Sequence, residues 1–241
     1  FQLLMLDTRS IYRDKQLNIE DYFDGNSINK SKYKRDLSVD RKLIGLEQML
    51  WIKNNLNKKF KWSIIGQQVL MAQVYLPTIF ANMNKKILPD YLHKYLKIGG
   101  ANVPYNTDAW DGYPKERERL FKELKKANSV LVLTGDTHNS WLNNLYDENN
   151  NFIGVEIGTP AISSPNTIDT FGSLTDDIEE GFIKENKNVK WTEGKHKGYT
   201  LLKLTKDKSE VSFVYVNTVK SKVYEVIDTN KFNVKPNTPI I

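Results

Sequence analysis

The stretch VLVLTGDTHNSW, residues 130–141, decides the fold class of this chain. Four apolar residues predict a buried β-strand, and Gly135, Asp136 and His138 follow directly after it. In a sheet of parallel strands, ligands bind beyond the carboxyl ends of the strands. We therefore expect Asp136 and His138 to lie close to one another at the mouth of a central sheet.

Asp136 and His138 are spaced by two on irregular backbone, after a glycine that permits a tight turn, so both side chains can face one point. A carboxylate oxygen and an imidazole nitrogen together suit iron, manganese or zinc, and the oxygen alone suits calcium. The alternative is that Asp136 caps the following segment and that His138 is an ordinary hydrogen-bonded polar residue. The motif alone leaves both interpretations open.

The segments before this stretch favour an α/β fold. Apolar runs predict strands near residues 3–6 and within residues 62–72, and a helical period predicts a helix over residues 43–57. Pro114 suits the first position of another helix. This alternation predicts one largely parallel sheet that is covered by the two helices. Residues 73–113 show no sustained period, and a loop of that length is often functional.

The segments after this stretch favour antiparallel hairpins. Each predicted hairpin is a pair of strands around a polar turn, and the pairs are residues 141–146 with 152–157 and residues 198–205 with 210–217. We expect these late hairpins to build the second sheet of a sandwich. A helix over residues 174–184 and a last strand over residues 223–227 are also indicated.

Composition limits the possible classes of protein. The chain has 241 residues, of which 39% are hydrophobic and 27% charged, and this predicts a soluble globular protein. No apolar run approaches the roughly 20 residues that a transmembrane helix needs. The absence of cysteine excludes disulfides and thiolate metal sites within these residues. The net charge is +6, and its densest basic stretch, residues 30–42, is interpreted as a solvated loop because acids are interleaved. We therefore expect no specific nucleic-acid partner.

Other kinds of catalytic site find little support in the sequence. There is no GxSxG nucleophile motif, no cysteine nucleophile and no glycine-rich phosphate loop. His93 lies in an amphipathic context typical of a surface or core residue, and His196 precedes a predicted strand as a turn residue. A metal site is the chemistry that these residues support best.

Seven motifs in order resemble a known family. They are LDTRS with a following YR at residues 6–13, IGLEQMLW at 44–51, WSIIGQQVLMA at 62–72, WDGYPKERERL at 110–120, LTGDTHNSW at 133–141, GVEIGTPAISSP at 154–165 and HKGY at 196–199. The series is similar to the carboxyl-terminal half of the PhoD-like alkaline phosphatase and phosphodiesterase family, a branch of the calcineurin-like metallophosphoesterases.

The resemblance implies a fold, an activity and a location. The fold is an αββα metallophosphoesterase sandwich, of which residues 1–241 form the carboxyl-terminal part of one domain. The activity is hydrolysis of phosphate monoesters or diesters by water or hydroxide that metal ions activate. Iron and calcium are the ions expected from the family. Export to the periplasm, the medium or the cell surface is expected on the same ground.

The resemblance assigns metal-ligand and catalytic roles to Asp136 and His138. Gln68 falls where the wider superfamily often has a metal-binding histidine, and the alternative is that Gln68 is an amide of the core strand. Arg9 is a candidate for binding phosphate through its guanidinium fork, and an ion pair with an acid such as Asp7 is the alternative.

Two further residues are substrate-binding candidates by the same resemblance, Asp111 and Asn139. Asp111 is expected to order a loop near the substrate, and a helix-capping role is equally open.

The sequence also departs from the family pattern. A strand end that contains cysteine, a GDxxY motif and a WDDHE motif stand upstream of LDTR in the family, and these residues lack all three. We expect the missing ligands on the amino-terminal half of the domain, in the same polypeptide or a companion chain. The alternatives are a non-catalytic relative that binds an anionic ligand through its basic surface, and a structural subunit that pairs with an amino-terminal fragment.

Overall fold

The computed structural model describes residues 1–241, except for the side chain of Ile87. The strands in the described residues are β1 (Gln2–Met5), β2 (Phe23–Asp24), β3 (Ser27–Ile28), β4 (Ser63–Gly66), β5 (Val130–Thr134), β6 (Ser140–Tyr146), β7 (Phe152–Gly158), β8 (Val189–Glu193), β9 (Lys197–Leu204), β10 (Ser209–Val216) and β11 (Val226–Val234). The α-helices are α1 (Lys30–Leu37), α2 (Gly45–Asn55), α3 (His93–Leu96), α4 (Pro114–Leu124), α5 (Thr167–Phe171) and α6 (Thr175–Glu185). Short 3₁₀ helices cover Ile19–Tyr22, Thr78–Asn82, Lys85–Ile87, Asp90–Leu92, Trp110–Gly112 and Gly172–Leu174.

A mixed sheet in the order β1-β4-β5-β7-β6-β8 carries the candidate site. Its first four strands are parallel, with Leu4 beside Ile65 and Ile65 beside Val132. Strands β6 and β8 run antiparallel to their neighbours. The prediction that the strands near residues 3–6, 62–71 and 130–133 share one sheet is confirmed.

A second sheet, in the order β11-β10-β9, packs face to face on the first. The buried layer between them joins Leu131 and Val155 of the first sheet to Val211 and Phe213 of the second. Trp191 of β8 extends this layer, because its ring lies 4.8 Å from the ring of Phe213. The sandwich is confirmed, but only one of the two predicted hairpins builds the second sheet.

The β6–β7 hairpin instead extends the first sheet, and this corrects the prediction. Strand β7 inserts beside β5 and brings β6 with it. Both faces of β6 are buried, and Asn143 and Asn144 lie on it fully enclosed. A hairpin pattern fixes the pairing of its own two strands and carries no information about the next neighbour.

The helices cover the other face of the first sheet. In α4 the apolar residues Leu120, Phe121 and Leu124 are buried as the sequence period predicts, and Pro114 occupies the first turn. The helices predicted over residues 43–57 and 174–184 correspond to α2 and α6. The outward residues Tyr199 and Leu201 of β9 are exposed, so the second sheet lacks its outer layer among the described residues.

Three further predictions need correction. Residues 30–42 are not a loop throughout, because α1 forms there with Tyr33 and Leu37 buried and with the side chain of Asn29 as its cap. The strand within residues 62–72 stops at Gly66, and the last strand is β11 rather than residues 223–227.

Among the described residues, each helix is too short or too polar to cross a membrane.

A buried carboxyl group in the first sheet predicts a pH-dependent stability. Glu156 of β7 is fully buried, and its carboxylate accepts hydrogen bonds from the backbone of Met71 (2.5 Å) and Ala72 (2.9 Å) and from Asn143 (2.9 Å). Burial raises the pKa of Glu156 from about 4.5 to about 7, although these hydrogen bonds oppose the rise.

Between pH 4.5 and 7 the folded chain therefore holds a proton on Glu156 that the unfolded chain releases. We expect the free energy of unfolding to fall by about 3 kcal/mol in total as the pH rises through that window. Urea unfolding at several pH values measures how the free energy of unfolding depends on pH. The variant Glu156→Gln should show a weaker dependence. An unchanged slope in the variant would contradict the assignment.

Candidate metal and phosphate site

Four parallel strands end at the same edge of the first sheet and bring polar residues together. Asp7 and Arg9 follow β1, Gln68 follows β4, Asp136 and His138 follow β5, and Thr159 follows β7. Backbone hydrogen bonds join the turns at this edge, from Gly135 N–H to Gln68 C=O (3.1 Å) and from Thr159 N–H to Thr134 C=O (2.9 Å). The edge is therefore a fixed platform rather than a set of independent loops.

The turn after β5 has an unusual backbone. Asp136 and His138 both adopt left-handed conformations, with φ of 70° and 68°. We expected Gly135 to take the conformation that favours glycine, but the two functional candidates take it instead. Aspartate and histidine tolerate this region better than most residues, and such conformations concentrate at functional sites.

The hydrogen bond of His138 defines which ring nitrogen is available. Its Nδ1 lies 2.7 Å from the carbonyl oxygen of Pro165. A carbonyl oxygen only accepts, so Nδ1 carries the proton and the Nε2 of the neutral ring presents a lone pair. A backbone carbonyl behind one nitrogen is the arrangement that orients a histidine for metal binding through the other.

Arg9 bridges two carboxylates at this edge. Its guanidinium contacts Asp108 through Nη1 and Asp136 through Nη2, the latter at 2.5 Å. All three side chains are 34% exposed, so solvent and ligands reach them. The alternative partner considered from the sequence, Asp7, makes no ion pair with Arg9. The Asp7 carboxylate instead accepts the backbone N–H groups of Ser10 and Arg9, at 2.8 Å each, which lowers the pKa of Asp7.

Gln68 reaches the edge, but its side-chain oxygen is occupied. Oε1 accepts hydrogen bonds from the backbone N–H (2.9 Å) and the hydroxyl (2.6 Å) of Thr8. These bonds tie the end of β1 to the end of β4. A metal ligand role for Gln68 would require displacement of Thr8, so that role stays a prediction.

Two predicted substrate-binding residues have other partners in the structure. The Asp111 carboxylate is buried, pairs with Arg117 at 2.6 Å and accepts the N–H of Val74 at 3.0 Å. The Asn139 side chain is also buried and donates to the hydroxyl of Thr167 at 2.7 Å. The structure therefore brings neither side chain into the group around Asp136, and their contact with substrate stays a prediction.

Asp108 belongs to the site, and the sequence did not single it out. Each oxygen of its carboxylate faces an arginine, since Arg13 contacts Oδ1 at 2.5 Å and Arg9 contacts Oδ2. The available signal was an acid within the long loop of residues 73–113, two residues before the motif WDGY. The other two histidines lie elsewhere: His93 contacts the backbone carbonyl of Leu88, and His196 pairs with Glu193.

A groove of about 720 Å³ opens beside these residues. Arg9, Gln68, Asp136 and Thr159 form its polar end. The apolar part of the lining includes Leu3 and Met5 of β1, which are 49% and 63% exposed. In the part of the chain that the structure describes, no group of three or more His, Cys, Asp or Glu side chains is placed to hold a metal ion. Asp136 and His138 are two side chains of the types that bind metal ions, and a complete site needs more donors than two.

Comparison with known proteins identifies relatives that match most of the chain. A family model described as PhoD-like phosphatase matches residues 1–213. Alkaline phosphatase D of Bacillus subtilis (strain 168) is 32% identical over 209 residues, which cover 83% of this chain and 30% of that protein. A solved structure of PhoD superposes with a TM-score of 0.67 and 26% identity, covering 97% of this chain and 40% of the other. The chain therefore spans less than half the length of these two relatives.

Proposed function

Because this chain belongs to the PhoD-like phosphatase family, we propose that it forms the carboxyl-terminal part of a metal-dependent phosphatase domain that hydrolyses phosphate monoesters or diesters. The observation that carries the proposal is the carboxyl edge of the first sheet, where Arg9 pairs with Asp136 and where His138 follows in the same turn after β5. A carboxylate, an oriented imidazole and a guanidinium are the groups that hold metal ions and phosphate.

The residues at this edge fit a metal ion in their donor chemistry. Asp136 offers carboxylate oxygens, and His138 offers Nε2 because Nδ1 is bound to Pro165. Arg9 pairs with Oδ1 of Asp136, so a metal ion at this carboxylate would bind Oδ2 or displace Arg9. Bound metal ions would polarise the phosphoryl oxygens and lower the pKa of a bound water. Iron and calcium are the proposed ions, on the strength of the family alone.

The remaining ligands are proposed to come from the amino-terminal half of the same domain. Two donors do not satisfy calcium, which takes about six to eight oxygens, or iron. The apolar wall of the groove supports the same proposal, because Leu3 and Met5 are left exposed on an edge strand beside the site. Exposed apolar edge strands are liable to pair with further chain.

The proposed function is tested by phosphatase assays with and without the upstream segment. p-Nitrophenyl phosphate and bis-p-nitrophenyl phosphate are the substrates, with iron, manganese and calcium added separately and together. We expect turnover from the longer polypeptide and little or none from residues 1–241. Robust turnover by residues 1–241 would overturn the assignment of the missing ligands. Inactivity of the longer polypeptide with every metal would favour a non-catalytic relative.

Arg9 is proposed to bind the phosphate group of the substrate. Its guanidinium is 34% exposed and already spans two anionic partners, so phosphate oxygens can take the place of one of them. In the active polypeptide, Arg9→Ala should raise KM about tenfold or more, because a hydrogen bond to a charged group is lost.

Arg13→Ala is the matched control for Arg9. Arg13 contacts the same Asp108 carboxylate, but its other contacts are with Gln16, the ring of Tyr113 and the backbone carbonyls of Thr8 and Asp108. We expect its KM to stay near that of the unaltered protein. Equal rises in KM for the two variants would show that Arg9 acts only through the position of Asp108.

We also propose that the protein acts outside the cytoplasm, as the family resemblance suggests. Fractionation of cells that express the full-length protein tests this proposal, and recovery in the cytoplasmic fraction alone would contradict it.

A further inference from the structure

A second polar cavity is lined by Asp108, the carboxylate that pairs with Arg9. It has a volume of about 460 Å³ and is enclosed by residues 15–19, by Lys94 and Tyr95, and by residues 105–108. The hydroxyl of Thr107 donates to the carbonyl of Leu17 at 2.7 Å and joins two of these walls. The cavity is therefore preformed rather than a gap between unconnected loops.

The charges that line the cavity favour an anion. Lys15 and Lys94 both line it, and within the described residues neither ammonium group has an ion-pair partner. Asp108 is the acid in the lining, and each of its carboxylate oxygens already faces an arginine. The two arginines thus neutralise the negative charge of Asp108. The net charge of the cavity is therefore positive and comes from the two lysines.

Neutral groups of the lining suit the same ligand. Asn106 accepts the N–H of Asp108 at 3.2 Å and Gln16 accepts a hydrogen bond from Arg13 at 3.0 Å, so both residues keep their amide nitrogens as donors. The Tyr95 and Tyr105 rings pack edge to face with centroids 6.0 Å apart and form an apolar base. Lys94 lies 5.7 Å from the centroid of Tyr95, which helps to hold its ammonium group in place.

The cavity adjoins the proposed phosphate site through one side chain. Arg9 spans Asp108, which lines the cavity, and Asp136, which lies at the reaction edge. The two carboxylates are therefore separated by the width of one guanidinium group. Arg9 and Asp108 are thus the residues through which the cavity adjoins the reaction edge, and this adjacency makes the ester substrate the candidate ligand of the cavity.

We propose that Lys15 and Lys94 form a second anion subsite, which takes a carboxylate or phosphate carried by the alcohol portion of the ester. The inference rests on the proposed function, because it assigns the cavity to the same substrate. Its consequence is a preference for esters that carry a second negative charge near the reacting phosphate.

Two matched pairs of compounds test the subsite in the full-length protein. 3-Phosphonopropionate and propylphosphonate are not hydrolysed and differ by one carboxylate, so their dissociation constants measure the preference without turnover. 3-Phosphoglycerate and glycerol 3-phosphate provide the corresponding substrates. Isothermal titration gives the first comparison, and release of phosphate gives the ratio of KM values for the second.

We expect the compound with the additional carboxylate to bind about tenfold more tightly and to have the lower KM. Lys94→Met and Lys15→Met should each reduce the preference severalfold, and added salt should weaken it. Lys203→Met is the control, because Lys203 lies on β9 in the second sheet near Glu210. Thermal unfolding of each variant shows whether it remains folded.

The outcomes separate the subsite from the catalytic proposal. Equal binding within each pair, or a preference that survives both lysine variants, would overturn the subsite even if both esters are hydrolysed. A lysine-dependent preference between the phosphonates, without hydrolysis of either ester, would support the subsite and remove the proposed catalytic function. A third outcome is that inorganic phosphate binds in a lysine-dependent way while neither matched pair of compounds shows a preference for the additional carboxylate. This outcome would overturn the assignment of the cavity to the ester substrate and indicate a site for free phosphate.

Discussion

Replacing His138 with alanine is expected to lower phosphatase turnover of the full-length protein by more than about 100-fold, since even the partners of metal ligands contribute about 10–100-fold. The Nδ1 of His138 is bound to Pro165, so Nε2 is the atom that the site loses. Metal affinity should fall in the same variant, and equilibrium dialysis against calcium and iron measures it without turnover.

The control for this variant is His93→Ala. His93 is one of three histidines in the chain, and its Nε2 contacts the backbone carbonyls of Lys85 and Leu88 rather than the reaction edge. Its removal should leave turnover close to that of the unaltered protein. Full activity of His138→Ala would show that His138 is the ordinary polar residue that the motif alone also allows.

The sequence predicted the position of Asp136 and His138 because that prediction depends on local pattern. An apolar run fixes the strand, and residues that follow a parallel strand must lie at the carboxyl edge of its sheet. The backbone of the turn was not predictable in the same way. A glycine was present, yet the left-handed conformations fall on Asp136 and His138, in a turn that hydrogen bonds join to neighbouring turns of the sheet edge.

The partners of Arg9 were not predictable from the sequence, because they depend on tertiary packing. Asp108 and Asp136 lie 99 and 127 residues from Arg9 along the chain, and no spacing rule connects them. The nearby acid Asp7 looked equally suitable as a partner, but its carboxylate accepts hydrogen bonds from backbone N–H groups of its own turn.

Secondary structure was predicted where the apolar period was long and missed where few residues carried it. Helix α4 buries several apolar residues on one face, whereas α1 buries only Tyr33 and Leu37 among charged neighbours. The sandwich followed from the change to hairpins after His138. The sequence did not predict which sheet each hairpin joins, because that depends on the tertiary pairing of β7 with β5.

Replacing Arg117 with alanine is expected to lower the free energy of unfolding by about 3–5 kcal/mol, the range for removing one partner of a buried ion pair. Arg117 Nη1 lies 2.6 Å from Asp111, and the two side chains are only 7% and 4% exposed. The variant leaves the Asp111 carboxylate buried without its counterion. Burial already raises the pKa of Asp111, so the loss of stability should become smaller as the pH is lowered, because protonation of Asp111 removes the unpaired charge.

Arg119→Ala is the matched control on the same helix. Arg119 lies 2.7 Å from Asp40, but the side chains of this pair are 40% and 46% exposed, and such pairs contribute about 0–1 kcal/mol. Urea unfolding of both variants gives the comparison. Similar losses for Arg117→Ala and Arg119→Ala would show that burial does not set the strength of the Asp111–Arg117 pair.

The double variant Asp111→Leu, Arg117→Met separates the ion pair from the loop that it supports. Apolar replacement of a buried pair is often neutral or stabilising when the pair acts alone. Here Arg117 also donates to the carbonyl of Met71 at 3.2 Å, and Asp111 also accepts the N–H of Val74 at 3.0 Å. We therefore expect the double variant to recover only part of the stability, because the segment after β4 keeps two buried backbone groups without partners. Full recovery would show that the pair stabilises the fold only through its own charges and that the segment finds other partners.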